Sequence, residues 1–317
     1  MSTQFGGAST TDEVLAGANL GGKRFLVTGV SAGLGVETAR VLTAHGAEVV
    51  GTVRDRAKGH ARTDDITKAN GGRLSLADLE LASLASVRAC ADQLLAAGKP
   101  FDGVICNAAI MACPQGWTKD GHDLQFGTNH LSHFVLVNKI QSLLRPGARV
   151  VMVSSSGHRF SDVNLDDPGF ARTPYGEWES YGRSKTANVL FALEFDRRHK
   201  TRGVRATALN PGNINTELGR HITPTALAKV IEQVKSNDLG LAQSFFKTVP
   251  QGAATSVWCA VTARADEVAG RYCEDCNVAM VDDTPGVRPG VMSYALDASR
   301  ARVLWTLSEE LVGEQFL

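Results

Sequence analysis

A glycine-rich turn between the first strand pattern and the first helix pattern constrains the fold of this chain most strongly. Residues 24–27 form a short apolar strand pattern, and residues 36–44 form an apolar helix pattern. The turn that joins them reads Thr28-Gly29-Val30-Ser31-Ala32-Gly33-Leu34-Gly35. Glycine allows a tight turn and a close approach of the backbone to a bound group. Strand, glycine turn and helix in this order predict the opening unit of a parallel α/β sheet.

The alternation of strand and helix patterns continues along the chain. Strands are predicted at 24–27, 48–53, 73–76, 103–106, 149–153, 204–209 and 270–273. Helices are predicted at 36–44, 84–95, 124–143, 181–198 and 252–260. Apolar strands covered by helices on both faces predict a single doubly wound Rossmann domain with a seven-stranded parallel sheet. The predicted divisions are an N-terminal tail and short helix over 1–20, the domain over 21–317, and within it a helical substrate lid over about 213–250.

Composition argues against several functional classes. The 317 residues include 33 Lys plus Arg and 33 Asp plus Glu, so electrostatics favours neither nucleic acid nor an anionic membrane as partner. No apolar run approaches the ~18 residues of a membrane span, and the first residues lack the basic and apolar regions of a secretory signal. Six cysteines are too few for a disulfide scaffold, and the pair Cys273 and Cys276 lacks a second pair at zinc-ligand spacing. We therefore expect a cytoplasmic protein with a small-molecule substrate and no metal site, membrane span or nucleic-acid partner.

The end of the second strand bears on the choice of cofactor. The glycine turn would seat a pyrophosphate on the first N–H groups of the helix, which predicts a bound dinucleotide. An acid at the end of the second strand accepts a hydrogen bond from the 2′-hydroxyl of NAD, whereas an arginine pairs with the 2′-phosphate of NADP. Here Val53 and Arg54 end the strand, and Asp55 comes one residue too late. This favours NADP(H) over NAD(H), the alternative being that Arg54 is a solvated charge beside Asp55.

A tyrosine and a lysine share one face of the helix pattern at 181–198. Tyr181 and Lys185 are four residues apart. A tyrosine hydroxyl ordinarily titrates near 10, and a cation about 4 Å away would lower its pKa by about three units at an effective dielectric of about 20. Such a pair can donate a proton to a carbonyl or accept one from an alcohol. The same spacing also arises by chance in many helices.

Polar residues follow the fourth and fifth strands, at the edge of the sheet where the glycine turn lies. Ser154-Ser155-Ser156 follows the fifth strand, where a hydroxyl could hold a substrate oxygen while a tyrosine moves its proton. The flanking residues do not form the G-x-S-x-G turn of a serine hydrolase. Asn107 follows the fourth strand. Asn129 lies within the next helix pattern, where asparagine is unfavourable unless it has another task.

These motifs, in order along nearly the whole chain, resemble those of the short-chain dehydrogenase/reductase superfamily. They are T-G-x-x-x-G-x-G, N-A-A, a Ser-Tyr-Lys set with an Asn, and P-G. Within the superfamily the chain is most similar to the retinol-dehydrogenase, WW-domain-oxidoreductase and protochlorophyllide-reductase-like branch. The segments that carry this similarity are 53–55, 106–109, 129–134, 184–191 and 304–311.

The resemblance implies a role for each matching residue. The implied catalytic residues are Asn129, Ser155, Tyr181 and Lys185, with Ser155 preferred over its two serine neighbours. Asp78 would contact the adenine ring, Lys185 would also hold the nicotinamide ribose, and residues 211–216 would pass over the nicotinamide. The full set of predicted cofactor contacts is Gly29, Ser31, Ala32, Gly33, Leu34, Gly35, Arg54, Asp78, Leu79, Asn107, Ala108, Ala109, Tyr181, Lys185, Pro211, Gly212, Ile214 and Thr216.

Two departures from the family pattern bear on the substrate side. Ala109 stands where glycine is commoner, and Ser155 and Tyr181 are 26 residues apart, about double the commonest spacing. The turn-rich segment 156–180 between them would alter the pocket or a subunit interface. Candidate substrate contacts are Met111, Trp117, His158 and Trp178. A homodimer or homotetramer, paired through a helix face, is expected from the resemblance alone.

Apolar residues in the predicted lid indicate the kind of substrate. They recur at three- and four-residue spacing over 222–246, and such a stripe must cover an apolar surface. We therefore expect NADP(H)-dependent interconversion of a carbonyl and an alcohol on a bulky apolar or aromatic substrate, with Tyr181 as proton donor or acceptor. The alternatives are reduction of a C=C bond on the same fold, and a non-catalytic NADP(H)-binding protein.

Overall fold

One sheet of eight strands forms the centre of the computed structural model, which describes residues 5–222, 228 and 246–316. The strands in these ranges are β1 (Arg24–Thr28), β2 (Glu48–Val53), β3 (Leu74–Asp78), β4 (Phe101–Cys106), β5 (Leu144–Val153), β6 (Arg205–Asn210), β7 (Tyr272–Glu274) and β8 (Asn277–Val278). Their order is β3-β2-β1-β4-β5-β6-β7-β8, and every neighbouring pair is parallel except β7 with β8. The doubly wound parallel sheet that the sequence predicts is confirmed, with one short antiparallel strand added at its edge.

Helices cover both faces of the sheet. They are α1 (Thr11–Val14), α2 (Gly33–Ala44), α3 (Arg56–Ala69), α4 (Leu84–Ala97), α5 (Leu124–Phe126), α6 (Ser132–Lys139), α7 (Glu177–His199), α8 (Val249–Val257), α9 (Ala265–Val268) and α10 (Ala298–Val312). Turns of π-helix lie at Gly127–Leu131 and Trp258–Thr262. Turns of 3₁₀-helix lie at Gln141–Leu143, Ser156–Phe160, Lys200–Arg202, Glu217–His221 and Ser293–Leu296. One apolar core lies under α4, α6, α7 and α10, and a second lies under α1, α2 and α8.

The segment predicted as one helix over 124–143 is interrupted. It consists of α5, the π-turn and α6, and it ends at Lys139. Strand β5 then begins at Leu144, five residues earlier than predicted, because Leu144 pairs with Phe101 before the register shifts. Pro146 and Gly147 lie in this early part of the strand. Because both residue types are rare in strands, the sequence did not predict this part of β5.

The far edge of the sheet also differs from the prediction. Strand β7 covers Tyr272–Glu274 rather than 270–273, since Gly270 adopts a φ of 66° ahead of it. Asp275 and Cys276 turn the chain into β8 with φ values of 51° and 54°. Two-residue turns of this kind ordinarily use Asn and Gly, so no hairpin signal marked this strand.

The N-terminal segment packs against the domain. A capping box between Thr10 and Glu13 begins α1, whose Val14 is buried with the following Leu15. The carbonyl oxygen of Val14 accepts a hydrogen bond from the Thr262 hydroxyl at 3.0 Å. Before the helix, the Gln251 side-chain amide donates to the carbonyl of residue 8 at 3.1 Å. Residues 5–20 thus lie against the domain, which differs from the tail expected for the first of them.

Of the predicted lid, residues 213–222, 228 and 246–250 fall within the described residues. Residues 223–227 and 229–245 of the predicted lid lie outside them. The two ends meet where Ile214 forms a parallel bridge with Lys247. In the described part of the chain, no helix combines the length and the apolar character that crossing a membrane requires.

Candidate active site

Three glycines of the turn after β1 occupy positions where a side chain would collide or strain the backbone. Gly29 has a φ of 77°, and a Cβ there would lie 2.8 Å from the Cβ of Ala108. Gly33 has a φ of 54°, and a Cβ on Gly35 would lie 2.1 Å from the carbonyl oxygen of Gly29. Because the backbone folds this tightly, helix α2 starts directly beside the end of β1.

Helix α2 begins without a side-chain cap. Its N-cap residue is Ala32, which offers no hydrogen-bonding group to the first turn. The first N–H groups of a helix have no acceptor within the helix and carry partial positive charge. Ser31 precedes this end and Leu34 lies in its first turn. The uncapped helix and the side-chain-free glycines fit a dinucleotide pyrophosphate.

The end of β2 presents two arginines in different circumstances. Arg54 has 69% of its side chain exposed, and its Nε lies 3.7 Å from a Glu80 carboxylate oxygen. Arg56 donates two hydrogen bonds of 3.0 Å to the carboxylate of Asp78. Asp78, the predicted adenine contact, is therefore engaged by Arg56, and Leu79 after it is buried. Of the two guanidinium groups, that of Arg54 is the more accessible to a phosphate.

The loop after β4 is bonded to the end of β1. The hydroxyl of Thr28 accepts the backbone N–H of Asn107 at 2.9 Å and that of Ala108 at 3.0 Å. The Asn107 side-chain amide donates to the Thr28 carbonyl at 2.8 Å. Asn107, Ala108 and the following Ala109 are thereby placed beside the glycine turn. Thr28 holds this loop in place, a role that the sequence interpretation did not assign to it.

Tyr181 and Ser155 meet at the carboxyl edge of the sheet. Both side chains lie against Gly157, whose N–H donates to the Ser155 hydroxyl at 3.0 Å. Gly157 leaves room for the phenol ring, since a Cβ there would lie 2.5 Å from a Tyr181 ring carbon. Ser154 instead donates its hydroxyl proton to the carbonyl of Lys185 at 2.8 Å. The structure therefore brings Ser155, rather than Ser154, to the tyrosine.

The predicted lowering of the tyrosine pKa by the lysine is wrong for this geometry. The Lys185 Nζ lies 5.6 Å from the centre of the Tyr181 ring and donates to the carbonyl of Val153 at 2.9 Å. Burial raises the pKa of Tyr181 to about 12, and the Ser155 side chain acts in the opposite direction. Burial likewise lowers the pKa of Lys185 to about 7. Loss of water dominates both shifts, so Tyr181 holds its proton at neutral pH.

Asn129 lies in the π-turn between α5 and α6, with its side chain fully bonded. Its Oδ1 accepts the N–H of Ile110 at 2.9 Å, and its Nδ2 donates to the carbonyl of Ile110 and the hydroxyl of Ser184, both at 2.9 Å. The amide thus joins the loop after β4 to helix α7. These hydrogen bonds explain why an asparagine, otherwise unfavourable inside a helix, occupies this position.

The segment after β6 closes over the start of α2. The N–H of Gly212 donates to the Asn210 side chain at 3.0 Å, and Gly212 has a φ of 88°. Thr216 lies against Gly33, where its Cγ2 would be 3.1 Å from an added Cβ. Pro211, Gly212, Ile214 and Thr216 are thus carried from the end of β6 to the glycine turn.

Comparison with known proteins places the chain in a family. The family model described as short chain dehydrogenase matches residues 23–227. The chain belongs to the short-chain dehydrogenase family. It is 37% identical over 308 residues to "Retinol dehydrogenase 14" of Homo sapiens, covering 92% of this chain and 87% of that protein. It is 35% identical over 323 residues to "WW domain-containing oxidoreductase" of Pongo abelii, covering 98% of this chain and 73% of that protein.

A solved member of the family shares the fold. A short chain dehydrogenase from Burkholderia cenocepacia, crystallised in complex with NADP, superposes with a TM-score of 0.64 at 24% identity. The match covers 82% of this chain and 98% of that one. The resemblance to the retinol-dehydrogenase and WW-domain-oxidoreductase branch is confirmed, as is the Rossmann architecture of this short-chain dehydrogenase.

The geometry of the present chain contradicts one of its four predicted substrate contacts. His158 is fully buried, and its Nδ1 bonds to the carbonyl of Ser155 at 2.8 Å. Its Nε2 accepts the N–H of Met292 at 3.1 Å. Both ring nitrogens are occupied by the protein's own backbone, so His158 supports the Ser155 turn and offers no atom to a substrate. The sequence placed it near the site but did not show which way it is bonded.

The other three candidates differ in position. Trp178 packs edge-on against Tyr181, with ring centres 6.3 Å apart, and also contacts Phe160 at 5.2 Å. Met111 is partly buried in the loop after β4. Trp117 has 62% of its surface exposed. Trp178 is therefore a candidate that the structure places in contact with the predicted catalytic tyrosine.

The inserted segment 156–180 packs back on its own domain. Arg183 lies over the ring of Phe170 at 3.6 Å and donates to the carbonyl of Asp167. The Asp167 carboxylate accepts three backbone N–H groups from residues 171–173. Tyr175 donates its hydroxyl proton to the carbonyl of Cys113 at 2.8 Å. The long Ser155–Tyr181 spacing is thus accommodated within one chain.

Helix α10 covers the groove between α6 and α7. The ring of Trp305 stacks parallel to Phe191 of α7 at 5.8 Å and meets Phe134 of α6 edge-on at 5.0 Å. The Arg198 guanidinium lies 4.2 Å from the centre of the Trp305 ring. A pairing of two chains across this groove would have to displace α10.

Histidines and cysteines in the described ranges are not arranged for metal binding. No group of three or more His, Cys, Asp or Glu residues in those ranges is placed to hold an ion. Cys273 and Cys276 are buried free thiols. Burial raises the pKa of Cys276 to about 11, so this thiol stays protonated at neutral pH.

Proposed function

We propose that this short-chain dehydrogenase is an NADP(H)-dependent oxidoreductase that interconverts a carbonyl and an alcohol. The observation that carries the proposal is the meeting of the buried Tyr181 ring and the Ser155 hydroxyl against Gly157, at the edge of the sheet where the glycine turn lies. It places a transferable proton and a second hydroxyl where they can meet the same substrate oxygen. We take Tyr181 and Ser155 as catalytic residues, and Lys185 and Asn129 as the groups that support them.

The protonation states favour a defined role for each group in carbonyl reduction. Tyr181, with its pKa raised to about 12, carries its proton at neutral pH and can donate it to the oxygen of a carbonyl. Ser155 shares that oxygen through its hydroxyl. A bound nicotinamide cofactor supplies the hydride. In the direction of alcohol oxidation, Tyr181 must first lose its proton before it can accept one from the substrate.

The cofactor proposal depends on Arg54. Its guanidinium is exposed at the end of β2, where a 2′-phosphate would lie, and its contact with Glu80 is long at 3.7 Å. Arginine pairs with phosphate through charge-assisted hydrogen bonds, and the acid that would favour NAD is missing from this position. We propose NADP(H) as the preferred cofactor, bound by the predicted set of contacts from Gly29 to Thr216.

The substrate proposal is a bulky apolar or aromatic carbonyl compound. Trp178 and Phe160 present aromatic surface next to Tyr181, and Met111 adds a flexible apolar side chain after β4. A relative 37% identical bears a name that refers to retinol, a large apolar alcohol. Burying apolar substrate surface yields about 25 cal/mol per Å², which favours large apolar substrates over sugars.

A consumption assay with both reduced cofactors tests the function. We expect NADPH to be oxidised in the dark with aromatic, steroid, retinoid or long-chain carbonyl compounds, with kcat/KM rising with apolar size. Products should be the corresponding alcohols. If only activated C=C bonds are reduced, the protein is a double-bond reductase and not a carbonyl reductase. Tight NADPH binding with no consumption across the whole panel would indicate a binding protein.

A further inference from the structure

His133 joins two parts of the site through both of its ring nitrogens. It lies at the start of α6, with 1% of its surface exposed. Its Nδ1 is 3.0 Å from the backbone carbonyl oxygen of Asn129, and its Nε2 is 3.0 Å from the Thr28 hydroxyl. Asn129 is a predicted catalytic residue, and Thr28 ends β1 ahead of the glycine turn. The imidazole therefore links the π-turn that carries Asn129 to the end of β1, beside the glycine turn.

The hydrogen bonds around Thr28 fix the tautomer of this histidine. The Thr28 hydroxyl accepts the N–H groups of Asn107 and Ala108, at 2.9 and 3.0 Å, which fills both of its lone pairs. Its single proton must then be donated to Nε2 of His133. A neutral imidazole with an accepting Nε2 carries its proton on Nδ1, which donates to the carbonyl of Asn129.

The carbonyl that His133 contacts lies in the π-turn. The N–H of Ser132 donates to the carbonyl of Gly127, five residues earlier, so the regular pattern of helix hydrogen bonds is shifted here. The side chain of Asn129 is already committed to Ile110 and Ser184. A side-chain donor from the next turn therefore supplements the backbone at the position that carries Asn129.

We propose that His133 is a positioning residue that holds the Asn129 backbone and the Thr28 hydroxyl in fixed relation, and so couples the loop of residues 107–108 to the π-turn that carries Asn129. The proposal rests on the proposed function for its catalytic consequences. The structural part of the proposal is the pair of hydrogen bonds that the His133 ring makes to Asn129 and Thr28. Burial lowers the pKa of His133 to about 4, which keeps the ring neutral, as an accepting Nε2 requires.

Substituting His133 by asparagine or by glutamine separates the effects of its two hydrogen bonds. An Asn amide nitrogen occupies the place of the histidine Nδ1, and in this same helix Asn138 donates to the carbonyl four residues back, that of Phe134, at 2.9 Å. His133→Asn should keep the bond to Asn129 and lose the one to Thr28. A Gln side chain reaches the place of Nε2, so His133→Gln should keep the contact with Thr28 and lose the fixed donor to Asn129.

His130 provides a matched control three residues earlier. It is equally buried and also neutral, but its Nε2 bonds to Ser308 of α10 at 2.9 Å, away from the site. We expect His133→Asn to weaken NADPH binding by about 3- to 10-fold, because Thr28 no longer holds the 107–108 loop firmly. We expect His133→Gln to lower kcat by about 3- to 10-fold with a smaller change in NADPH binding. His130→Asn should leave both within twofold, whatever it does to stability.

The tautomer supplies a readout that does not depend on turnover. Nitrogen NMR of protein labelled with ¹⁵N-histidine, with the His133 signals assigned by their loss in His133→Asn, should show Nδ1 protonated. A proton on Nε2, or His133 variants that match His130→Asn in both kcat and NADPH affinity, would overturn the proposal. A parent protein with no carbonyl turnover would refute the proposed function, while the tautomer and the NADPH affinities would still decide the role of His133.

Discussion

Tyr181 is the single residue on which the proposed chemistry depends most directly. Tyr181→Phe keeps the buried ring beside Gly157 but removes the transferable proton. We expect turnover to fall by at least about 10²-fold, the usual contribution of general acid catalysis, with NADPH affinity little changed. Steady-state kinetics and a direct binding titration on the same preparation measure both quantities. Activity within a few-fold of the parent would remove Tyr181 from the mechanism.

Arg54 should decide between the two cofactors. Arg54→Ala removes a charge-assisted hydrogen bond to the 2′-phosphate, so we expect NADPH to bind roughly 10- to 150-fold more weakly and NADH to be nearly unaffected. Dissociation constants for both cofactors, measured at one salt concentration, test this. Arg56→Ala is the control, because Arg56 is committed to Asp78 and should matter less to the phosphate. A parent that prefers NADH would contradict the interpretation of Arg54.

Inverting the preference requires an acid at the position of Arg54 itself. Val53 is 2% exposed, and its Cγ1 would lie 2.8 Å from a Cβ on Gly59, so an aspartate at position 53 would be buried in a packed site. Arg54→Asp instead places the carboxylate in solvent, where it can accept from a 2′-hydroxyl and repel a 2′-phosphate.

At the scale of single residues, the sequence predicts which side chains gather at the site better than it predicts what they do there. Motif spacing predicts that Ser155 and Tyr181 meet at one edge, and the structure places both side chains against Gly157. Spacing carries no information about burial, so it missed that the pKa of Tyr181 rises. It also could not show that His158 turns both nitrogens to the backbone, since those partners lie in residues 155 and 292.

Helix α10 should contribute strongly to stability through Trp305. Trp305 is 2% exposed and packs on Phe191 and Phe134. Trp305→Ala should reduce the free energy of unfolding by about 3–5 kcal/mol, the range for removing a large buried aromatic. Val303→Ala on the same helix, where the side chain is 53% exposed, should change it by no more than about 0.5 kcal/mol. Urea unfolding of both variants provides the comparison, and equal effects would mean that α10 is only loosely attached.

At the scale of helices and strands, prediction succeeded where apolar patterns were strong and failed where they were weak. Helix α3 buries only Gly59 and Thr63 of its 14 residues, so no apolar stripe marked it. Its stability comes instead from contacts such as the Asp55 side chain, which accepts the N–H of Lys58 at 3.0 Å. The early part of β5 was missed because strand pairing there tolerates Pro146 and Gly147, which propensity counts against.

For the whole molecule, acid should be more damaging than the balanced charge suggests. Burial lowers the pKa of His133 and His158 to about 4 and that of His130 to about 3, against an ordinary value near 6.5. The unfolded chain therefore binds more protons than the folded one as pH falls from 6.5 to about 4, and stability declines through that window. Each histidine should cost up to about 2 kcal/mol at pH 5.

Urea midpoints measured without cofactor at pH 7 and pH 5 test this expectation. His130→Asn removes one of the three groups without touching the proposed site, so its midpoint should fall less between the two pH values than that of the parent. Equal midpoints at pH 7 and pH 5 in the parent would mean that the buried rings take up protons without unfolding.

The π-turn at Gly127–Leu131 has a consequence for anyone who aligns this chain with its relatives. A π-turn is an α-helix with one residue inserted, and one residue rotates everything after it by about 100° around the helix axis. Against a protein that has a regular helix here, an alignment with its gap outside this segment will therefore set a neighbour opposite Asn129 and judge the asparagine replaced. Deleting one residue between 127 and 131 makes the same error in the protein itself, because a regular helix would then turn either Asn129 or His133 away from its partners.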